Sequence, residues 1–422
     1  MTYEPVNGQY CLHTAFSGEY YKFAVMDQVS LSPSQARKII LHAAGLAKRG
    51  QFGKGREAVY KLIDHLGFVQ LDTNYVVERA HHHTIASRVP DYKHEWLEEL
   101  QADGRIFEFF VADAGYIPMK DFRFSLAIKE GFLTKRKPLT SAEINLMNKV
   151  LDRIGREGPL MVKDFENDRL EASRGWWDWR PSKVALERLY MDGRLLVTRN
   201  KGFHKLYDLP MNILPDDADT SMPTPEEFAR HTIRRSLSSM GIAYAKEMHW
   251  RARYAKENLV KKELEMMLAA GEICSVAIEG LKHAPLYMLP GYKNKKIELS
   301  AEAFILSPFD PLNVFRHRLR DFFDFDYQIE CFVPEPKRKY GYFSLPILIG
   351  DTFIGRMDSK ADRKQRVLTI HNLHFEPVKF SKPMTGKLID AIRAFAGFNQ
   401  CEGVVIKKSN NKQVVKAIKA GL

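Results

Sequence analysis

Cysteine is scarce in this sequence. The 422 residues include only four cysteines, Cys11, Cys274, Cys331 and Cys401, which are dispersed and form no C-x-x-C pair. This pattern argues against a disulfide framework and against a structural zinc site, and it is typical of a reducing compartment. Long apolar runs are also missing, since no stretch approaches 18 residues, and the chain does not open on a secretion signal. We therefore expect a cytoplasmic protein that does not cross a membrane.

Acidic residues are the minority among the charges. The 64 Lys and Arg against 52 Asp and Glu leave a formal net charge of +12. That excess favours a polyanionic partner, nucleic acid before an anionic membrane surface. The one histidine cluster, at 81–83, does not change this expectation, because adjacent residues on a helix point in different directions and do not converge on one ion. We expect no metal and no cofactor.

The N-terminal residues lack a clear hydrophobic period. A helix-start signal appears only at Ser32-Pro33, where a capping side chain precedes a proline. Residues 1–29 are therefore expected to form an N-terminal extension. We further hypothesise that residues 1–25 lie upstream of the natural translation start.

A weak repeat occurs three times along the chain. In each copy, apolar residues stand seven and four positions before a glycine, at Gly104, Gly193 and Gly271. This spacing is helical, the glycine ends the helix, and a β-prone run follows. The same glycine pattern ends many unrelated helices, but copies two and three also share a downstream strand, at 206–210 and 286–290. Helix, glycine stop and β-hairpin together indicate winged-helix units.

The predicted fold class is α+β, with three tandem winged-helix domains followed by a small antiparallel β-barrel-like C-terminal domain. Amphipathic runs at 34–48 and 56–66 are assigned to the first unit. In the C-terminal region, short β-prone runs such as 327–332 alternate with turn residues. The predicted boundaries are extension 1–29, winged helix 1 at 30–135, winged helix 2 at 136–215, winged helix 3 at 222–292 and the C-terminal domain at 298–422.

Basic residues cluster with aromatic ones where DNA contacts are expected. Lys and Arg supply phosphate contacts, and recognition helices lie in grooves. The alternative is that the tryptophans at 176–179 fill a core and the charges face solvent. The candidate DNA contacts in these clusters are Arg180, Lys183, Arg251, Arg253, Arg316, Arg318 and Arg338.

The run 68–73 carries an amide and a carboxylate two positions apart, at Gln70 and Asp72. Side chains at i and i+2 of a strand point to one face, so the two polar groups would lie together with Leu71 behind them. In a solvated strand this pairing means little. In a DNA-binding protein it indicates a site that positions a water.

Several motifs extend this observation to most of the chain. The segment 67–73 is followed by further matching strings at 77–84, 87–89, 306–310, 338–342, 345–348 and 355–358. With these motifs, the sequence from about residue 30 to its end resembles the AlkZ/YcaQ (AlkX) family of winged-helix DNA glycosylases. The AlkZ branch has glutamine at both polar positions of the catalytic motif. Asp72 in the second position is similar to the YcaQ (AlkX) branch, which acts more broadly on crosslinks and N7-alkylguanines.

The resemblance implies excision of alkylated purines, including interstrand crosslinks, from double-stranded DNA by a monomer. It assigns catalytic roles to Gln70 and Asp72. Further residues of the matching motifs become candidates for supporting the site or holding phosphates; they are Arg79, His83, Arg88 and Arg356.

The residue types suit that reaction. An N7-alkylated guanine is cationic and already a good leaving group, so what remains is an oxocarbenium-like sugar and a water. A carboxylate can stabilise the sugar cation and activate the water, while a neutral amide can hold the water. The motif contains no lysine that could form a Schiff base, which favours a monofunctional hydrolase that leaves an abasic site.

Two other functions remain open from the residues alone. A non-enzymatic winged-helix DNA-binding regulator would explain the repeat, but it has no use for Gln70 and Asp72. A nuclease is a weaker alternative, because no acidic cluster of two-metal character is visible. Whether the lesion is flipped is also open. Because a tethered crosslink cannot rotate freely, we expect a shallow, open site probed by the loops 315–320 or 336–340.

Overall fold

The computed structural model describes residues 28–111, 113–165, 180–200, 202–251, 257–281 and 285–422. The predicted N-terminal extension lies outside these residues except at its last two positions. The helices of the described ranges are α1 Pro33–Ala43, α2 Gly55–Leu66, α3 Ala80–Ala86, α4 Glu95–Ala102, α5 Phe122–Lys135, α6 Ser141–Glu157, α7 Pro181–Met191, α8 Pro210–Ile213, α9 Pro225–Met240, α10 Ala245–Arg251, α11 Glu257–Ala269, α12 Arg316–Phe323, α13 Lys382–Phe398 and α14 Lys412–Gly421. The strands are β1 Val29–Leu31, β2 Val69–Gln70, β3 Ile106–Phe110, β4 Ala114–Pro118, β5 Leu196–Arg199, β6 Lys205–Asp208, β7 Ile242–Tyr244, β8 Cys274–Ile278, β9 Leu286–Met288, β10 Ala303–Ile305, β11 Ser344–Ile349, β12 Thr352–Asp362, β13 Val367–Phe375 and β14 Gly403–Ile406.

Helices and strands both contribute substantially, so the fold is mixed α+β, as predicted. The helix start predicted at Ser32-Pro33 is confirmed. The Ser32 hydroxyl accepts a hydrogen bond from the Gln35 backbone N–H, and the Gln35 side-chain carbonyl accepts one from the Ser32 backbone N–H. This reciprocal pair satisfies two donors that a helix start otherwise leaves open. None of the helices in the described residues is long and apolar enough to cross a bilayer.

The three repeat glycines each follow a helix in a left-handed conformation. Their φ angles are +66° at Gly104, +75° at Gly193 and +69° at Gly271, a region that glycine enters without the strain of a Cβ. The helices α4, α7 and α11 precede them, and the hairpins β3–β4, β5–β6 and β8–β9 follow. The predicted succession of helix, glycine and hairpin is therefore present. The number of winged-helix domains and their boundaries remain predictions.

The first helix does not pack where the sequence indicated. β1 pairs in parallel with β8, and α1 packs against α9, α12 and β7. The amphipathic run at 34–48, which the sequence assigns to the first unit, thus packs against elements of the predicted third unit and of the C-terminal region. Helical period shows which face is buried but not which partner covers it.

The C-terminal region forms a five-stranded sheet of order β10-β11-β12-β13-β14. The first four strands pair antiparallel, whereas β14 pairs in parallel with β13. The helix α13 packs against β10 and β14. The sheet is therefore mixed, not purely antiparallel as predicted, and within the described residues β10 and β14 are its two edges. The barrel-like closure is not confirmed.

A buried ion pair connects the first unit to the C-terminal region. Arg88 follows α3, Asp310 follows β10, and both side chains are fully shielded from solvent. The guanidinium donates to both carboxylate oxygens, at 2.7 and 2.9 Å, in the bidentate geometry that arginine favours. The pair fixes the C-terminal region beside the segment that carries Gln70 and Asp72.

Candidate active site

The segment that carries Gln70 and Asp72 alternates between core and solvent. β2 pairs with β4, and the Leu71 N–H continues the pairing by donating to the Ala114 carbonyl at 2.8 Å. Val69 and Leu71 are buried, while Gln70 and Asp72 are half-buried. The regular strand is only two residues long, shorter than the predicted run 68–73. The burial pattern nevertheless puts the amide and the carboxylate on the side away from the core. We call this side of the segment, with Gln70 and Asp72, the Asp72 edge.

Asp72 lies in surroundings that disfavour its charged form. Burial raises the pKa of Asp72, and the nearby charge of Asp113 raises it further, while the Asn74 N–H opposes both effects. That N–H donates to Asp72 Oδ1 at 2.6 Å and fixes the orientation of the carboxyl group. A carboxylate with a raised pKa is a stronger base than an exposed aspartate.

A loop of the C-terminal region comes near Asp72 at Cys331. The thiol of Cys331 feels the charges of Asp72, Arg316 and Arg338; burial first and then Asp72 raise its pKa, and the two arginines oppose them. Arg316 is exposed at the start of α12 and Arg338 is half-buried. Two cations, which the sequence places far from Asp72, thus lie near Cys331.

The backbone of this loop is held by one buried carboxylate. Glu330 accepts the N–H groups of Lys339, Tyr340 and Gly341 at 2.8–3.0 Å, and Arg338 Nε donates to the Val333 carbonyl at 2.8 Å. At the tip, 85% of the surface of Phe332 is exposed. The structure therefore presents a large apolar side chain to solvent from an anchored loop next to Asp72.

A cavity of about 120 Å³ lies beside Gln70. One water molecule needs about 10–15 Å³ of such a cavity volume, so this cavity is much larger than a single water requires. Its lining comes from the first unit, α5, α9 and the loop after β10, and it includes the rings of Phe68, Phe107, Phe124, Phe228 and Phe309. Phe68 reaches it by lying across Gly115, where a Cβ would come within 2.2 Å of the ring. The expectation of a shallow, open site for the lesion stays a prediction.

Two of the predicted DNA contacts of the second unit stand on α7. Arg180 precedes its first residue and donates through Nη2 to the Val162 carbonyl at 3.2 Å, and Lys183 is half-buried in its first turn. Arg251 ends α10, where only the backbone is described, and Arg253 and the tryptophan cluster at 176–179 lie outside the described residues. For these four positions DNA contact remains a prediction.

Four predicted contacts point into the protein and are corrected. His83 is buried and its Nε2 lies 2.8 Å from the Ile305 carbonyl, while Arg88 is held by Asp310. Arg318 is 3% exposed and pairs with Glu247 at 2.8 Å. Arg356 is 2% exposed, pairs with Glu376 at 2.7 Å and lies over the rings of Phe325 and Tyr340. Buried arginines with such partners are held inside the protein and do not reach a phosphate, and removing a partner would leave a buried charge unpaired.

Arg79 is an intermediate case. Its guanidinium lies between the rings of Tyr75 and Phe203, 4.5 and 4.4 Å from their centres. Phe203 comes from the turn between β5 and β6, so this hairpin of the second unit touches the segment just after Asp72. Arg79 is half-buried, and its contact with DNA stays a prediction.

The predicted probe loops also differ from expectation. The segment 315–320 is largely helical, since α12 begins at Arg316, and Leu319 is buried in the core. The β-prone run 327–332 forms no strand and leads into the loop that carries Phe332. The segment 336–340 remains a loop with exposed charges, next to the far more prominent Phe332.

The histidines at 81–83 diverge, as helical geometry requires. His81 stacks on Phe203, His83 reaches Ile305, and His82 Nδ1 lies 2.6 Å from the Tyr92 hydroxyl. His82 does approach Glu78 and His94, and their donor atoms lie within 4.8 Å of one another. These three residues form the donor set that could hold a cation.

The Glu78 carboxylate, however, already has positive partners. It accepts the Arg79 N–H at 2.8 Å, and the Arg363 guanidinium lies 3.8 Å away. Burial raises the pKa of Glu78, but the hydrogen bond with His94 first, and then the Arg79 N–H and the charges of His94 and Arg363, lower it overall. We interpret the cluster as an ion-pair network, and the prediction of no metal remains a prediction.

Sequence reasoning missed two residues of this edge, Asp113 and Phe332. Asp113 belongs to the turn between β3 and β4, and nothing local to its sequence connects it to Asp72. Phe332 was assigned to a strand because it follows a β-prone run, although the prolines at 334 and 336 are a signal that favours a loop.

Comparisons with known proteins agree with this geometry. The family model "DNA glycosylase AlkZ-like" matches residues 63–398. Among solved structures, the DNA glycosylase AlkZ of Streptomyces sahachiroi is similar, with a TM-score of 0.60 and 17% identity over 90% of this chain and 100% of that chain. At that identity the structural match shows a shared fold, whereas the family model covers most of the chain, including Gln70, Asp72 and the loop of Phe332. The chain belongs to the AlkZ-like DNA glycosylase family and is a DNA glycosylase.

Proposed function

We propose that this protein is a monofunctional DNA glycosylase that hydrolyses the N-glycosidic bond of N7-alkylated purines and unhooks interstrand crosslinks in DNA repair. The observation that carries the proposal is the pairing of Gln70, which lines the cavity, with Asp72, whose pKa is raised by burial. A regulator would gain nothing from a half-buried carboxylate beside an amide. The family membership supports the enzyme over that alternative.

The reaction follows from the charges involved. The alkylated base is a cation and leaves with the electron pair of the C1′–N9 bond, which makes it neutral. The sugar that remains carries positive charge, and Asp72 stabilises it and takes a proton from the attacking water. Gln70, which can both donate and accept, holds that water beside C1′. No lysine occurs in the segment 67–73, so the product is an abasic site without a covalent intermediate.

Arg316 and Arg338 are the cations that we propose for the phosphates around the lesion. Both lie close enough to Cys331 to affect its pKa, and the charge of Asp72 affects the same thiol. We further propose that Phe332 faces the duplex there, since an exposed apolar side chain flanked by cations suits insertion between bases. Lys183 and Arg180 would extend the contact to the second unit.

The carboxylate at position 72 places the enzyme with the YcaQ (AlkX) branch in this proposal. Its substrates are then N7-alkylguanine monoadducts as well as true crosslinks. Action as a cytoplasmic monomer, without metal or cofactor, completes the proposal.

The test is incubation of the protein with nitrogen-mustard-crosslinked DNA, followed by alkaline cleavage at abasic sites. We expect unhooked strands that break at the crosslinked guanines. DNA that is bound but stays crosslinked and uncleaved, with monoadducts also retained, would contradict the proposal and favour the regulator.

A further inference from the structure

The cavity beside Gln70 contains one polar atom that the fold leaves unsatisfied. Ser125 is 3% exposed on α5, and its Oγ has no hydrogen-bond partner among the described residues. Ser125 belongs to the cavity lining. A buried hydroxyl without a partner is costly, so its presence at a cavity wall points to a ligand that completes its hydrogen bond.

The flat walls of the cavity suit a planar ligand. Phe124 and His231 stack with their ring centres 3.6 Å apart and their planes 8° from parallel. Burial first, and then Arg235 and other cations, lower the pKa of His231 to about 3, so its ring is neutral at pH 7. Stacked neutral rings offer a face on which another aromatic ring can lie.

The charges of the lining favour a cation. The charged side chains in the described lining are Asp113, Asp121 and Arg235. Arg235 pairs with Asp121 at 2.6 Å, and the formal charges of the lining, two acids and one arginine, add up to −1. The phenyl faces also attract positive charge. An ordinary guanine is neutral, whereas an N7-alkylguanine carries a full positive charge.

We propose that this cavity receives the extruded base of an N7-alkylguanine monoadduct, with Ser125 Oγ bonding to the edge of the purine. The inference rests on the proposed function and names how that site selects its substrate. Gln70 lines the same cavity, and Asp113 connects the cavity to Asp72, whose pKa its charge raises. In this proposal a base inside the cavity leaves C1′ at the mouth, on the side of Gln70 and Asp72.

The experiment fills the cavity from two sides. Ser125→Leu fills the cavity from α5, and Thr232→Leu fills it from α9. If one of the two variants does not fold, the other still tests the proposal. Ser125→Ala removes the hydroxyl without filling the space. The matched control is Ser236→Ala, because Ser236 is also a fully buried helical serine whose Oγ has no partner among the described residues, yet it does not line the cavity.

Three readouts are measured for each protein. They are single-turnover release of 7-methylguanine from a duplex with one such base, affinity for the same duplex by fluorescence anisotropy, and inhibition or direct binding by free 7-methylguanine. Duplex affinity reports the phosphate contacts, while release and free-base binding report the cavity. Circular dichroism and melting confirm that each variant is folded.

We expect the filled variants to lose about 10²-fold in release rate, the scale of a reacting group misplaced by roughly 1 Å. Ser125→Ala should lose about 2- to 10-fold, the scale of one hydrogen bond. Duplex affinity should stay within about twofold, since the electrostatic contacts to the phosphates are unchanged. Free 7-methylguanine should bind the wild-type protein and Ser236→Ala but not the filled variants.

Folded filled variants that release 7-methylguanine at the wild-type rate from an active enzyme would overturn the cavity assignment and leave the proposed function intact. A wild-type protein that releases no alkylated base would instead contradict the proposed function. If that protein still binds free 7-methylguanine, and Ser125→Leu abolishes the binding, the cavity stands as a base site without the activity.

Discussion

Two aspartates of this protein use the same side chain in opposite ways. Asp310 is fully buried, and it accepts two bonds from Arg88 and the Leu312 N–H at 3.0 Å. Asp72 is half-buried, accepts one N–H from Asn74 and stands near a second carboxylate, Asp113. The charge of Asp310 is neutralised and holds two regions together. The charge of Asp72 is left poorly compensated, which makes that carboxylate basic and reactive.

The same contrast separates the arginines. Arg88, Arg318 and Arg356 have buried carboxylate or ring partners, whereas Arg316 is exposed next to the Asp72 edge. All four looked alike as basic residues near motifs. What distinguishes the buried arginines is the partner in the folded chain, which lies 20 residues away for Arg356, 71 for Arg318 and 222 for Arg88.

The largest expected effect is on stability, and it tests the role assigned to the buried carboxylate of Asp310. Asp310→Ala leaves Arg88 buried without its partner, and breaking such a pair costs about 3–5 kcal/mol. Urea or thermal unfolding measures the loss. Asp72→Asn is the control, and it should not destabilise the protein. Because the pKa of Asp72 is raised in the folded state, its carboxylate is less favourable there than in the unfolded chain. Equal losses in both variants would remove the distinction.

The next effect concerns the amide that accompanies Asp72. Gln70→Leu keeps the size of the side chain but cannot hold a water, so the release of 7-methylguanine should slow by roughly 10- to 100-fold. This is the scale of a hydrogen bond to a charged or reacting group. Single-turnover kinetics measure it, and Gln365→Leu, on the exposed turn between β12 and β13, is the matched control. An unchanged rate in Gln70→Leu would limit the site to Asp72.

Acidification sharpens the comparison because it titrates Asp72. The carboxylate form is the active one, so the rate should fall about tenfold per pH unit below the pKa of Asp72. Since that pKa is raised, the decline should begin at a higher pH than for an exposed aspartate with the ordinary value of about 3.8–3.9. The measurement is the single-turnover rate against pH, checked for depurination of DNA alone. A flat profile down to pH 4 in a folded enzyme would contradict the assignment.

The smallest effect separates the two classes of arginine. Arg316→Ala and Arg338→Ala should each reduce the slope of log affinity against log salt by about 1, the loss of one phosphate contact. Arg318→Ala should leave that slope unchanged and lower the melting temperature instead. Duplex affinity titrated at several salt concentrations distinguishes them. A smaller slope for Arg318→Ala would indicate that Arg318 contacts a phosphate after all.

The local part of this fold could be predicted from the sequence. Ser32-Pro33 and the glycines at 104, 193 and 271 act within a few residues, through capping and φ angle, and the structure contains the predicted turns at each. The alternation around Leu71 also depends on local geometry. The element that packs against the buried face of each helix was harder to predict. The helix at 34–48 packs with the third unit, because an amphipathic face does not specify its partner.

The candidate site divides in the same way. Gln70 and Asp72 share a short stretch of sequence, so their pairing could be predicted from it. Asp113, Arg316 and Phe332 reach the same edge only through tertiary structure, and so do the walls of the cavity. His83 and Arg88 show the converse, since they belong to the motif that surrounds the proposed catalytic pair and yet are buried against partners inside the protein.

The most direct test of the central claim is the single-turnover release of 7-methylguanine by wild-type protein and Asp72→Asn. The account predicts a loss of about 10²-fold or more in the variant, the scale of acid–base catalysis. Affinity for the lesion duplex and stability should be kept. Release by a folded Asp72→Asn protein at close to the wild-type rate would contradict it.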